Sequence, residues 1–201
     1  MAGRPRRRAR RAGPGDPEGP TPGSGADVGP PPDPESVART ICLRLLTVSP
    51  RTRAQLADEL DRRDVPADVA ERVLSRFTEV GLIDDAAFAQ AWVQTRHRGR
   101  GLARRALSAE LRHRGVDDET ARDAVAQLDD DQEREAARAL VDRRLSASRG
   151  LPVQTRVRRL AGMLARKGYP AGVAFAVVRE ALADEGTDPT DLPDPESGDL
   201  P

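Results

Sequence analysis

The sequence predicts an all-α fold: three tandem three-helix units forming an elongated modular array. Two observations carry this. One phrase recurs three times, as LADELDRRDVPADVAERVL from Leu56, LSAELRHRGVDDETARDAV from Leu107 and LAGMLARKGYPAGVAFAVV from Leu160. The starts are 51 and 53 residues apart, within or just above the periods of helical repeats. In register stand Leu56, Leu107 and Leu160; Leu60, Leu111 and Leu164; then the turn residues Asp64, Gly115 and Gly168. The second observation is negative. No stretch sustains a period of two with β-branched residues, so no sheet is expected.

The elements follow in order. A helix-start cluster at Asp33–Ser36 leads into Val37, Ile41, Leu45 and Leu46, and Ser49-Pro50 breaks that helix. Thr52-Arg53-Ala54-Gln55 reads as a capping box for a second helix with Leu56 and Leu60 on its buried stripe. Pro66 suits the first turn of the third helix, where a missing N–H costs nothing. That helix carries Val69, Val73, Leu74 and Phe77 and stops at Gly81. In the second unit Asp84 or Asp85 caps a helix with Phe88, Trp92 and Val93. Arg96-His97-Arg98-Gly99-Arg100-Gly101 reads as a glycine-broken basic loop before a helix holding Leu102, Ala106, Leu107 and Leu111. Gly115 ends it, and Asp117 and Asp118 start the next. The third unit begins at Asp129–Asp131, continues through Leu140 and Leu145, and resumes after Ser146–Pro152 with Val157, Leu160 and Leu164. Its last helix reaches Leu182. The predicted organisation is a tail at 1–35, units at 36–83, 84–128 and 129–183, and a tail at 184–201.

Both tails read as disordered because they hold too little apolar surface to offset chain entropy. They also hide the charge of the core. Formal net charge is zero, but the first twelve residues carry six Arg and the flanks carry twelve carboxylates, so residues 36–183 are basic by about six. All but one of the 33 basic residues are Arg, whose guanidinium pairs with carboxylate and phosphate more specifically than ammonium does. The lone Cys42 excludes a disulfide framework and a thiolate metal site. No apolar run is long enough to span a bilayer, and no apolar stretch follows the N-terminal arginines as in a secretory signal. A soluble, cytoplasmic protein is expected, with no membrane partner.

Catalytic chemistry finds little support. His97 and His113 sit among arginines, which disfavours a proton-accepting role and repels a metal cation. Asp129–Asp131 reads as a helix start, since no glycine-bearing ligand loop follows. Gly99-Arg100-Gly101 lacks the preceding strand of a phosphate loop. Cys42 reads as a small core residue. No enzyme activity, cofactor or metal is expected.

What remains is charge on helices. Arg96, Arg98, Arg100, Arg104, Arg105, Arg112 and Arg114 concentrate in unit two, and Arg143, Arg144, Arg149, Arg156, Arg158, Arg159, Arg166 and Lys167 in unit three. Those of unit two, with Arg156, Arg158, Arg159, Arg166 and Lys167, are the candidate contacts to an acidic protein surface or nucleic-acid phosphates. Arg104, Arg105 and Arg112 lie opposite Leu107 and Leu111, so folding is not expected to need them.

Two segments resemble the RecX regulatory proteins of bacteria, in an actinobacterial-like form. Gly81-Leu82-Ile83-Asp84-Asp85-Ala86-Ala87-Phe88-Ala89 is similar to that family's junction between units one and two. Arg98-Gly99-Arg100-Gly101-Leu102, followed by Leu107 to Val116, is similar to its second signature. Leu102 replaces a frequent proline, and Arg114 a usual lysine. With the three-unit layout, the resemblance spans about Val37 to Leu182. It implies a negative modulator of the RecA recombinase in DNA repair, recombination and the SOS response. Such a protein lodges along the RecA–single-stranded DNA filament, touches neighbouring subunits, and limits filament growth, strand exchange and coprotease action. A monomer touching RecA, and single-stranded DNA directly or through the filament, is expected. The alternative is a helix-turn-helix transcriptional regulator, against which stand basic residues spread over two units and no cluster of Asn or Gln. A structural adaptor without nucleic acid is the third possibility.

Overall fold

The computed structural model describes residues 33–187, and among these it contains helices and no strand. The first trio is α1 (Pro34–Val48), α2 (Arg53–Asp61) and α3 (Ala67–Glu79). Thr52 caps α2: its Oγ1 accepts from the Gln55 N–H at 3.1 Å while the Gln55 side chain accepts from the Thr52 N–H at 3.3 Å. Ala38 and Cys42 of α1 close over Leu56, Leu60, Val73, Leu74 and Phe77. Burial pushes the Cys42 thiol up to about 11, so it stays protonated as a small core residue. Pro66 stands at the N-cap of α3, one residue before the expected position in the first turn.

The second trio is α4 (Asp85–Arg100), α5 (Arg104–His113) and α6 (Asp118–Ala126). Asp84 caps α4, accepting from the Ala87 N–H at 2.8 Å, and Asp117 caps α6. Here the structure corrects one expectation. Arg96–Gly101 is not a loop; α4 runs through Gly99 to Arg100. Glycine inside a helix costs only about 1 kcal/mol relative to Ala, and Gly99 stands one residue from the helix end, so burial of Val93 and His97 on the same face outweighs it. The turn is confined to Gly101–Ala103, and Leu102 is a buried turn residue rather than part of α5.

The third trio is α7 (Asp130–Leu145), α8 (Val153–Arg166) and α9 (Ala171–Asp184), with one turn of 3₁₀ helix at Ser146–Ser148. Val141, Leu160, Leu164, Val177, Val178 and Leu182 form its core. Two expected boundaries move. Pro34 and Glu35 belong to α1, where Glu35 pairs with Arg39 at 2.6 Å. Asp184 ends α9, and Glu185 is held by arginines described below. Residues 1–32 and 188–201 of the two expected tails lie outside the described residues.

The trios join by one arrangement used twice. The N-cap residue of each second helix donates to the carbonyl that closes the second helix of the next trio. Thr52 Oγ1 donates to the Arg114 carbonyl at 2.7 Å, and the Ala103 N–H to the Lys167 carbonyl at 2.9 Å. The next N–H in each helix meets a carboxylate from the following trio: Arg53 N–H to Asp85 Oδ1 and Arg104 N–H to Glu133 Oε1, both at 2.9 Å. First-turn N–H groups have no partner in their own helix and sit at its positive end, so they attract carbonyls and carboxylates. Gly115 and Gly168 follow those carbonyls with φ of +77° and +90°, each against an alanine of the preceding second helix. Asp64, their counterpart, has φ of 56°. In the third trio Arg156 takes the register position of Thr52 and Ala103, but α8 starts a turn earlier and the Arg156 N–H is bonded to the Pro152 carbonyl at 3.1 Å.

A Cβ at Gly168 would stand 2.6 Å from the Ala106 backbone nitrogen, and one at Gly115 would overlap the Ala54 methyl, whereas Gly81 (φ +73°) has open space. Denaturant titration should therefore find Gly168→Ala and Gly115→Ala at least about 2 kcal/mol less stable than the parent, and Gly81→Ala only about 1 kcal/mol. A second outcome follows at Asp85, whose carboxyl is raised by burial despite the Arg53 N–H. A raised carboxyl favours the fold at low pH and loses that contribution as pH rises through its folded value. Asp85→Asn keeps an acceptor for Arg53 without the charge. It should be no less stable than the parent at neutral pH, with any advantage shrinking below the carboxylate range.

Candidate functional site

The basic residues divide by what they touch. Arg156 is buried: its guanidinium donates to Ser148 Oγ at 3.0 Å, to the Leu145 carbonyl at 3.4 Å and to Glu185. The arginines also hold the Glu185 carboxyl below the usual range, by hydrogen bonds from Arg156 and then Arg149. Arg104 is half-buried and donates to the Leu128 carbonyl, to Asp130 at 2.7 Å, and lies 3.3 Å from Glu133. Both were expected on the outer face, and both are fasteners inside the fold. The expectation that folding does not need Arg104 is corrected with them. Its place at the start of α5 turns it toward α7 and away from solvent.

Arg96 and Arg114 also have work to do. Their guanidiniums lie 4.0 and 3.6 Å from the centre of the Trp92 ring, whose Nε1 donates to Glu110 at 2.8 Å. Desolvation lowers the Arg114 pKa, helped by the neighbouring charges of Arg96 and Arg51. Arg112 pairs with Asp118 at 3.1 Å, and Lys167 Nζ donates to the Arg100 carbonyl at 2.7 Å. That last bond brings Arg100, Arg166 and Lys167 together where α4 and α8 end.

Arg98, Arg100, Arg105, Arg158, Arg159 and Arg166 are exposed, with no carboxylate partner among the described residues. They repeat. Arg105 on α5 and Arg158 on α8 hold corresponding positions, as do His113 and Arg166. The folded chain also builds what the spacing hid. A cleft of about 550 Å³ between α4, the end of α6 and α7 gathers Gln90, Gln94, Gln127 and Gln132 beside Arg98 and Arg143. The absence of a glutamine cluster, used above against a nucleic-acid reader, is thus overturned; residues far apart in sequence meet there. Signals for it were the Gln90–Gln94 spacing on one helical face. His97 is buried with Nδ1 2.9 Å from the Leu102 carbonyl, a structural contact. Among the described residues no His, Cys, Asp or Glu group could hold a metal, and no helix is long and apolar enough to cross a membrane.

Comparison with known proteins gives one consistent result. Three family models match in tandem: RecX, first three-helix domain, over residues 38–77; second, over 84–125; third, over 130–178. The chain is 60% identical over 181 residues to the regulatory protein RecX of Thermobifida fusca (strain YX), covering 90% of this chain and 95% of that one. It is 61% identical over 177 residues to the regulatory protein RecX of Streptomyces lividans, covering 88% and 94%. Its fold is similar to the crystal structure of RecX from Lactobacillus salivarius, with a TM-score of 0.70 at 20% identity over 75% of this chain and 97% of the other. A second crystal structure, of a regulatory protein RecX, gives 0.67 at 24% identity over 74% and 72%.

The division of the arginines sets a testable contrast. Arg156→Ala removes the partner of Glu185 Oε2 and the donor to Ser148 Oγ, while Arg149 still holds Glu185 and Ser148 still bonds the Leu145 carbonyl; it should cost about 2 kcal/mol in urea unfolding. Charge reversal at Arg105, Arg158, Arg159 and Arg166 together should leave helical circular dichroism unchanged and the unfolding midpoint close to that of the parent.

Proposed function

The chain belongs to the RecX family of regulatory proteins, and from that premise we propose that it restrains the RecA recombinase by binding the RecA–single-stranded DNA filament. It limits filament growth, strand exchange and coprotease action, acting as a cytoplasmic monomer without catalysis or cofactor. The observation that carries this reading is the repeated exposed charge. Arg105 and Arg158 recur on two second helices, as do His113 and Arg166. A surface that repeats suits a partner that repeats, and a filament offers neighbouring subunits and phosphates at regular intervals. The candidate contacts are Arg98, Arg100, Arg105, Arg158, Arg159 and Arg166, with Arg96, Arg112, Arg114 and Lys167 at their margins.

A direct reading of DNA has its own support in the glutamine-lined cleft. Side-chain amides there could meet base edges while Arg98 and Arg143 meet phosphates. Within the filament reading, this would be the part of the surface that touches the single strand.

The test is a titration of RecA's DNA-dependent ATPase and strand exchange, with inhibition expected well below one molecule per RecA subunit. No inhibition at equimolar protein refutes the reading. The quadruple charge reversal should retain the fold and lose at least tenfold in filament binding by pull-down; unchanged binding means these arginines form a solvated face. On DNA binding, both tails should act by charge. Removing residues 188–201 should tighten single-stranded DNA binding at low salt, with the gain fading as screening shortens to about 8 Å near physiological ionic strength. Equal affinity of both forms at low salt would count against it.

A further inference from the structure

Where the first trio meets the second, an open groove of about 540 Å³ lies between the end of α1, the turns before α2 and α4, and α4 itself. Its lining is mainly apolar, with Leu46, Pro50, Leu82, Phe88 and Trp92. Phe88 and Trp92 stack at 5.8 Å between ring centres. The exposed large hydrophobics among the described residues are Leu43, Val48, Val80 and Leu82, from 43% to 78% exposed. Leu82 lies in this lining, and Leu43, Val48 and Val80 lie within three residues in sequence of Leu46, Ser49 and Gly81, which also line it. Apolar surface gathered in one place marks a binding surface more than scattered exposure does.

The rim is cationic and under-occupied. Arg51 and Arg114 line the groove, and neither has a carboxylate partner among the described residues. Arg51 Nε is buried without any hydrogen-bond partner. The Arg51 guanidinium thus keeps its charge with no carboxylate beside it, so an anion at the rim meets an uncompensated cation. The nearby carboxylates are engaged: Asp84 caps α4, and Glu110 holds Trp92 Nε1 and lies 3.5 Å from Arg96. A nucleobase fits poorly, because the Trp92 ring already carries two guanidiniums and stacks on Phe88. An acidic peptide with an aliphatic anchor fits both the floor and the rim.

The chain contains that chemistry. Residues 188–201 read DPTDLPDPESGDLP, with no basic residue, and contain Asp-Leu-Pro twice, at Asp191–Pro193 and Asp199–Pro201. We propose that the groove is a binding site for an acidic Asp-Leu-Pro segment and that its occupant is the chain's own C-terminal stretch. Leu192 or Leu200 fills the apolar floor while the preceding aspartate meets Arg51 and Arg114. Proline next to the anchor lowers the entropy lost on docking. Leu200 stands thirteen positions beyond Thr187, enough for about 45 Å of extended chain. Tethering supplies an effective concentration in the millimolar range, so a weak contact suffices. The tail then covers an apolar, cationic surface that an acidic protein segment would have to win by competition. Arg114 is shared with the proposed filament contacts, but the test below reads Trp92 and does not depend on RecA binding.

Trp92 is the sole tryptophan, so its fluorescence reports the groove directly. In the full chain, Leu192→Ser with Leu200→Ser should raise acrylamide quenching of Trp92 at least about twofold with unchanged circular dichroism. A synthetic 188–201 peptide at millimolar concentration should restore protection to that variant, while the same peptide with both leucines as serine should not. In an Arg51→Gln, Arg114→Gln background the leucine substitutions should have no further effect. Equal quenching of parent and leucine variant overturns the proposal. So does a full leucine effect in the arginine-substituted background, or protection by both peptides alike.

Discussion

The fold depends on how the open N-terminus of each second helix is closed. Within a helix the first N–H groups have no partners, and in α2 and α5 the partner of the first of these is supplied by the following trio. A carbonyl released at a left-handed turn and a carboxylate at the start of the next first helix meet the same positive end. Each bond satisfies a group that burial would otherwise penalise, so stacking and local helix stability are one event. The small apolar cores are stable in this setting because their neighbours complete them. Ala103 shows the coupling: a turn residue of the second trio, it is wholly buried in the core of the third.

Local chemistry was legible in the sequence. The Thr52–Gln55 box needs partners only three residues apart, and the aspartate caps at Asp84, Asp117 and Asp129 announce themselves the same way. The repeated phrase placed Asp64, Gly115 and Gly168 in register, and all three take positive φ. What escaped was anything set by contact at a distance. Thr52 meets the Arg114 carbonyl across 62 residues, a pairing no spacing rule reveals. Gly99 was read as a break because propensity weighs one residue, whereas burial of Val93 and His97 is collective.

Arginine was the hardest residue to read. Where nearly every basic residue is Arg, type no longer separates a fastener from a contact. Arg104 and Arg158 are the same residue type near the start of second helices, yet one grips the Leu128 carbonyl and two carboxylates while the other faces solvent. The difference lies in the neighbour that covers the start of α5. Candidate sites drawn from charge alone therefore mixed the inside of a joint with its outside, and only the folded arrangement sorts them.

The extra turn at the head of α8 withholds the joint that the first two second helices offer. At the position where Thr52 and Ala103 offer a donor to the next trio, Arg156 has its N–H already bonded and its side chain spent on Ser148 and Glu185. The N-cap there is Pro152, which has no N–H to give. A solenoid grown by duplication has no intrinsic length, and identical joints invite further copies to add end to end. Here the last second helix has no donor left to give, so the bond that fastens trio to trio is not offered a third time and α8 does not invite another copy onto it by that route.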